Sequence, residues 1–184
     1  MSEEIKEKMT SSFWKNLWDW AKSFLLALAL AFLIKTYLFE PTQVQGTSML
    51  NTLKSGDRVI VNKIRLKFRD LARGDIVVMH YGPADEDYIK RIVGLPGDTV
   101  QLIDGYFFIN GEKLEEDYIT GGYTYPVKEI EWKLESGQYF LAGDNRNPGK
   151  SKDSRVFGPV DINDIKGVAT LRFYPFGGSF GWLN

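Results

Sequence analysis

The chain has 184 residues, a formal net charge of −1, one histidine and no cysteine. A length of this order suits one domain with a real core, and the near-neutral charge offers no basic surface for nucleic acid. Thiol nucleophiles, disulfide frameworks and redox motifs are excluded, zinc lacks its usual Cys and His ligands, and neither a metal nor a cofactor is expected.

Residues 1–17 are polar and mixed in charge, with Lys6, Lys8 and Lys15 set against Glu3, Glu4 and Glu7; they read as a mobile cytoplasmic tail. From residue 18 to residue 39 the chain turns apolar, with an uninterrupted centre from Phe24 to Ile34 and single lysines, Lys22 and Lys35, near its ends. A helix of about 20 apolar residues crosses the hydrocarbon layer, and lysines near its ends snorkel to the headgroups. Trp14, Trp18 and Trp20 on one side, with Tyr37 and Phe39 on the other, suit two interfacial belts. Lys and Arg are denser before the span than just after it. That asymmetry predicts a single-pass, N-in protein of the plasma (inner) membrane whose residues 40–184 form an extracytoplasmic domain. A buried core helix and a cleavable signal peptide are the competing readings. Against the second, Ala27-Leu28-Ala29 lies inside the apolar run, and residues 35–39 offer no small pair behind it. Pro41 is expected to stop the helix and send the chain out extended.

The stretch from Glu40 to Leu53 reads as a short extended run that enters a turn at Gly46 and presents the hydroxyl of Ser48 beside the apolar Met49. A serine hydroxyl is weakly nucleophilic until a base takes its proton, so a base is needed elsewhere. Beyond it, Gly56-Asp57, Gly74-Asp75 and Gly97-Asp98 each open a run rich in β-branched residues, a turn-then-strand signal. With no long amphipathic helix pattern after residue 40, the expected fold is mainly β: an antiparallel β-rich domain behind one N-terminal transmembrane helix. Between about 102 and 138 the texture changes. Asp104-Gly105 through Asn110-Gly111 looks like a hairpin, and the acidic, Gly-rich stretch after it reads as a smaller inserted β subdomain without a reactive constellation of its own, or equally as a decorated loop region that only packs.

In the run Tyr88 to Gly94, a strand puts Tyr88, Lys90 and Ile92 on one face and Ile89, Arg91 and Val93 on the other. Burial of both faces would bury one cation on each. Arginine stays charged and needs an acidic partner, whereas burial lowers a lysine's pKa and makes its neutral amine a competent base for a serine. On these residues alone, Lys90 also reads as an edge-strand charge turned to water. His80, after Ile76-Val77-Val78-Met79 and before Gly82-Pro83, offers a rival Ser-His-Asp arrangement, though nothing in its local sequence favours that over a structural or exposed histidine. The loop from Gly143 to Arg155, rich in Asn, Asp, Gly and Ser, reads by itself as turn chemistry and local ion pairs.

Taken together, Gly46-x-Ser48-Met49 with Thr52-Leu53 behind it, the run from Tyr88 to Asp98, and Gly143-Asp144-Asn145-Arg146 followed by Ser151-x-Asp153-Ser154-Arg155 resemble bacterial type I signal peptidase, a membrane-bound Ser/Lys endopeptidase. The resemblance extends from the anchor to Phe180-Gly181-Trp182-Leu183. It implies that Ser48 is the nucleophile, that Lys90 is its general base and that Ser151 orients the lysine amine by a hydrogen bond. It pairs Asp144 with Arg91 and Asp153 with Arg155, and it lines shallow pockets for small substrate residues at −1 and −3 with Val44, Met49, Leu53, Tyr88 and Ile89. The backbone N–H of Ser48 is the implied oxyanion donor. Gly46 stands where many relatives carry a Ser or Thr whose hydroxyl is a second donor, and residues 147–150 lengthen the link before Ser151. The partners so implied are exported preproteins and the secretion translocon. Membrane lipid joins them through the aromatic residues 172–176 and 180–183, for which a core position is the alternative. A self-cleaving repressor would share the dyad but needs a basic DNA-binding segment, which this chain lacks; an anchored β-module that binds exported chains without cutting them would keep the fold and pockets alone.

Overall fold

The computed structural model describes residues 2–68, 71–126, 130–175 and 180–183, with side chains described from Trp14 onward. Phe176 of the aromatic C-terminal stretch lies outside the described residues. By contact the chain divides into residues 1–38 and residues 39–184.

The first unit is one helix, α1 (Ser2–Tyr37), so the polar segment expected as a mobile tail forms its opening turns. Its apolar part, Trp14–Tyr37, is 24 residues long, about 36 Å at the usual helical rise and enough for a hydrocarbon layer of about 30 Å. Apolar side chains along it are exposed, Phe24 at 64% and Phe32 at 67%, which does not fit a core helix. The helix ends at Tyr37, with the Leu38 N–H still reaching the Ile34 carbonyl at 2.9 Å. It therefore stops before Pro41, and Phe39 opens the first strand instead of closing the anchor.

All sheet pairing in the second unit is antiparallel between named strands. The large sheet runs β1 (Phe39–Gln43), β2 (Arg58–Asn62), β11 (Ile165–Tyr174), β3 (Ile76–Tyr81), β4 (Glu86–Gly94), β9 (Gln138–Ala142), β10 (Val160–Asp161), and β12 (Gly181–Trp182) pairs with β11. The smaller sheet runs β7 (Glu112–Lys113), β6 (Tyr106–Ile109), β5 (Thr99–Ile103), β8 (Glu131–Lys133). It begins three residues before the inserted segment assigned from sequence and shares a core with the large sheet, in which Val100, Phe107 and Trp132 meet Val93 and Phe140. Gly94, where the chain passes between the sheets, has no room for a side chain: a Cβ there would lie 2.6 Å from Val100 and 2.7 Å from Leu134.

The Gly-Asp signals have one physical cause. At Asp57, Asp75 and Asp98 the backbone N–H donates to the carbonyl three residues back, while the carboxylate accepts that same residue's N–H at 3.0, 2.7 and 2.7 Å. The preceding glycine carries the left-handed φ, +97°, +92° and +89°, that such a turn requires. Asp104-Gly105 and Asn110-Gly111 both have positive φ throughout, the primed turns that match strand twist. α-Helix beyond residue 40 is confined, among the described residues, to α2 (Ile64–Lys67) and α3 (Ser154–Phe157), with single 3-10 turns at Gly82–Ala84 and Ile162–Asp164.

The open edge of β1 bears on function. Val44 bonds the β2 side through both its N–H and its carbonyl, to Asp57 and Gly56 at 2.8 and 2.9 Å. Alternation along the strand then turns the backbone of Gln45, Gln43 and Pro41 outward. Pro41 thus sits where its missing N–H removes no ladder bond.

Candidate active site

A cleft of about 660 Å³ separates the end of β1 and its continuation from β4; Gln43, Val44 and Ser48 line one side, and Tyr88, Ile89 and Lys90 the other. Ser48 follows the turn at Gly46, whose φ is +82°. That conformation favours glycine over any residue with a side chain. After it the chain coils through successive turns, with Leu50 N–H on the Thr47 carbonyl and Leu53 N–H on the Met49 carbonyl. Met49 and Leu53 are thereby buried in one cluster with Val59, Val61 and Ile76. They support the cleft from behind; Val44, Tyr88 and Ile89 reach its wall.

The strand faces of β4 divide its two cations. Lys90 is 3% exposed and Arg91 2%. Lys90 Nζ lies 2.8 Å from Ser48 Oγ and donates to the Ile89 carbonyl at 2.9 Å. Burial strips water from the amine, and although Asp153 and Asp144 favour its charged form, the pKa is lowered to about 8. Arg91 takes the other course. It grips Asp144 with two hydrogen bonds of 2.9 and 2.8 Å, and although burial opposes its charge, that carboxylate keeps its pKa raised.

The loop after β9 supplies the rest. Asp153 caps α3 and holds Arg155 through two 2.8 Å bonds. It also accepts from the Gly143 N–H at 3.0 Å and the Ser151 hydroxyl at 2.6 Å. Ser151 therefore donates to Asp153, and among the described residues the Lys90 amine bonds Ser48 and the Ile89 carbonyl, not Ser151. Burial works against the Asp153 carboxylate, but Arg155 and Ser151 hold its pKa below the usual range. Gly143 permits the assembly, because a Cβ there would stand 2.3 Å from Ser151 Oγ and 2.5 Å from the Ser48 carbonyl.

Several residues at the site were given no role from sequence, Thr52 and Asn145 among them although both stand in the motifs that carry the resemblance. Thr52 donates to Asp144 and accepts from Arg91. Asn145, buried at 3% exposure, bonds the Ser48 and Thr47 carbonyls. Thr120 and Glu116, from the acidic stretch read as chemically silent, hold Leu50 and Arg146, and Tyr118 lies 4.0 Å from the Arg91 guanidinium. The inserted segment thus braces the site. A clustering of Asn and Gly around Asp144 was visible, but its partners lie up to 98 residues away.

His80 lines the same cleft, but its ring meets Asp87 at 3.2 Å. In the β3–β4 register His80 is opposite Asp87 and Lys90 opposite Val77, three residues of strand, or about 10 Å. Among the described residues no cluster of His, Asp and Glu could hold a metal ion.

A serine hydroxyl against a desolvated amine is the arrangement by which a serine peptidase can activate its nucleophile. Comparison with known proteins supplies the family. The family described as "Signal peptidase, peptidase S26" matches residues 17–174. Signal peptidase I of Bacillus licheniformis is 37% identical, covering 94% of this chain and 96% of its own length. Signal peptidase I P of Bacillus subtilis subsp. natto is 40% identical, covering 92% and 94%, and signal peptidase IB of Staphylococcus aureus 37%, covering 88% and 92%. A solved signal peptidase I from Enterococcus faecalis, 32% identical, matches 54% of this chain and 97% of its own with a TM-score of 0.46. The chain belongs to the signal peptidase family, peptidase S26, and is a serine endopeptidase; its exposed apolar helix accords with membrane anchoring.

Proposed function

We propose that this protein removes N-terminal signal peptides from exported preproteins through a Ser48–Lys90 dyad. The supporting observation is the 2.8 Å separation of Ser48 Oγ from an amine that burial has made easy to deprotonate. Neutral Lys90 takes the Ser48 proton as Oγ attacks the scissile carbonyl carbon. The resulting ammonium returns a proton to the leaving amine, so the mature protein departs and the signal peptide remains as an ester on Ser48. A water, deprotonated by the same amine, then hydrolyses the ester. The Ser48 N–H is the oxyanion donor: it has no hydrogen-bond partner among the described residues, and a preorganised donor there stabilises the developing charge. Gly46 supplies the turn and no hydroxyl.

The substrate lies extended in the cleft, pairing with the outward backbone of Gln43 and Gln45 by strand addition. Val44, Tyr88 and Ile89 shape shallow apolar pockets, backed by Met49 and Leu53, that admit small residues at −1 and −3. Asp144 with Arg91 fixes the loop behind Ser48. Ser151 and Asp153 with Arg155 position the lysine's surroundings, Ser151 acting through Asp153. Residues 40–184 form the extracytoplasmic peptidase domain, the helix before them is a single-pass anchor of the plasma membrane with its N-terminus inside, and lipid and the secretion translocon are its neighbours. Tyr174, Phe180 and Trp182 are 42%, 58% and 76% exposed, which favours the lipid contact over a core position.

Purified full-length protein in detergent should cut a preprotein at its signal-peptide junction, and Ser48→Ala should not. Equal binding without cutting in both would instead make the protein a non-catalytic receptor for exported chains.

A further inference from the structure

The Ser48 N–H faces a demand that the dyad does not meet. An oxyanion donor works by being aimed before charge develops, and the aim of a peptide N–H is the orientation of its peptide plane. In a trans peptide the N–H points opposite to the carbonyl of the same plane. For Ser48 that carbonyl belongs to Thr47.

Asn145 Nδ2 donates to the Thr47 carbonyl at 3.0 Å, and the Asn145 backbone N–H donates to the Ser48 carbonyl at 2.9 Å. Two consecutive carbonyls of the nucleophile turn are thus drawn to one buried residue, which does not itself line the cleft that Ser48 lines. The amide of Asn145 is itself held the right way round, because Asn147 donates to its Oδ1 from the side chain at 3.0 Å and from the backbone at 3.3 Å. The Asn145 backbone is fixed independently, flanked by mutual hydrogen bonds of Thr120 with Asp144 and Arg146. Loss of the side-chain amide would leave that main-chain anchor in place and leave the Thr47 carbonyl held only by the 3.2 Å bond from the Leu50 N–H of its own turn, so the Thr47–Ser48 plane would be less firmly aimed.

We propose that Asn145 is a positioning residue for the oxyanion hole: its side-chain amide holds the Thr47–Ser48 peptide so that the Ser48 N–H points into the cleft, with Asn147 locking the amide. The inference rests on the reading of Ser48 as nucleophile. It adds to it the residue that fixes the direction of the donor, a need that is sharper where Gly46 offers no second hydroxyl. Asn147 opens the lengthened link before Ser151, which gives that link a task beyond connection.

The test compares two ligands of one peptide sequence ending in alanine, a C-terminal aldehyde and the matching primary alcohol. With the aldehyde, a bond forms from Ser48 Oγ to the carbonyl carbon, the carbonyl π pair moves onto oxygen, and the Ser48 proton passes to Lys90; the alcohol binds the same cleft without this step. Full-length wild type, Asn145→Ala, Asn145→Asp, Asn147→Ala and Ser48→Ala are measured in detergent. Wild type should prefer the aldehyde. In both Asn145 variants the preference and kcat should fall together by about tenfold to a hundredfold, with KM within about twofold and the alkaline limb of the pH profile unmoved, since Lys90 is untouched. Asn147→Ala should shift the same ratio by a few-fold, and it decides the matter if the Asn145 variants do not fold. A wild-type preference retained in the variants overturns the inference alone, as does an equal loss of both ligands, which marks a purely structural role. A preference that is absent from wild type, or that survives Ser48→Ala, removes the Ser48 reading itself and the inference with it.

Discussion

Two lysines line the same cleft in opposite circumstances. At the inner end Lys90 is 3% exposed and its amine meets a hydroxyl and a carbonyl. At the rim the Lys166 side chain is 44% exposed and its amine meets the Asp87 carboxylate at 2.6 Å. His80 shares that carboxylate, and Lys166 and His80 hold the Asp87 pKa low despite its partial desolvation. Water screens the rim pair, so it contributes at most about 1 kcal/mol; in the proposed dyad it is desolvation at the inner end that makes the same side chain a base. If Lys90 is the base we propose, the contrast teaches that reactivity here follows exclusion of water and the absence of a hydrogen-bonded carboxylate, not the density of charged groups.

Substitution should break this contrast first at the dyad. Ser48→Ala, Lys90→Ala and Lys90→Arg should each lower kcat by about a thousandfold or more, the last because arginine keeps the charge but cannot accept the proton. His80→Ala and Lys166→Ala should stay within about threefold of wild type in the same cleavage assay. A dead His80→Ala enzyme beside a working Lys90→Arg one would reverse the two regions.

Stability should divide along the same line. Asp144→Ala strands Arg91 in the interior and should cost about 3–5 kcal/mol in denaturant unfolding, whereas Asp87→Ala at the rim should cost about 1 kcal/mol or less. Comparable losses would mean that burial does not separate the two regions.

Lys90 should also show in the pH dependence of stability. Its folded-state pKa of about 8 lies below the ordinary 10.5, so between those values the unfolded chain binds more protons than the folded one. The contribution of Lys90 to stability therefore rises with pH across that window and is withdrawn as pH falls through it. At pH 7, Lys90→Met should be the more stable protein, by of order 1–3 kcal/mol, and the gap should close toward pH 10.5. A gap that is flat with pH would place Lys90 in water.

What could be read from the chain divides by range. The Gly-Asp turns were legible because the Asp carboxylate reaches a backbone N–H three residues back, so strand starts at Arg58, Ile76 and Thr99 needed no tertiary information. The period of two along β4 separated Lys90 from Arg91 for the same reason. The end of α1 was misplaced because Pro41 reads as a helix stop, whereas it occupies the open edge of β1, which depends on β2. Long-range contacts were hidden. Thr52 meets Asp144 across 92 positions and Asn145 meets Thr47 across 98, and neither residue type announces such a partner. Ser151 shows the limit of motif reading: its place in the loop was visible, but its bond to Asp153 follows from the fold of α3 and its cap.

A base that is a lysine made reactive by burial shows itself most directly in kcat/KM measured against pH. For wild type the rate should rise through an apparent pKa of about 8 as Lys90 becomes neutral, and His80→Ala should leave that limb in place. A limb near 6.5, where histidine ordinarily titrates, that vanishes in His80→Ala would contradict the account and move the base to the rim.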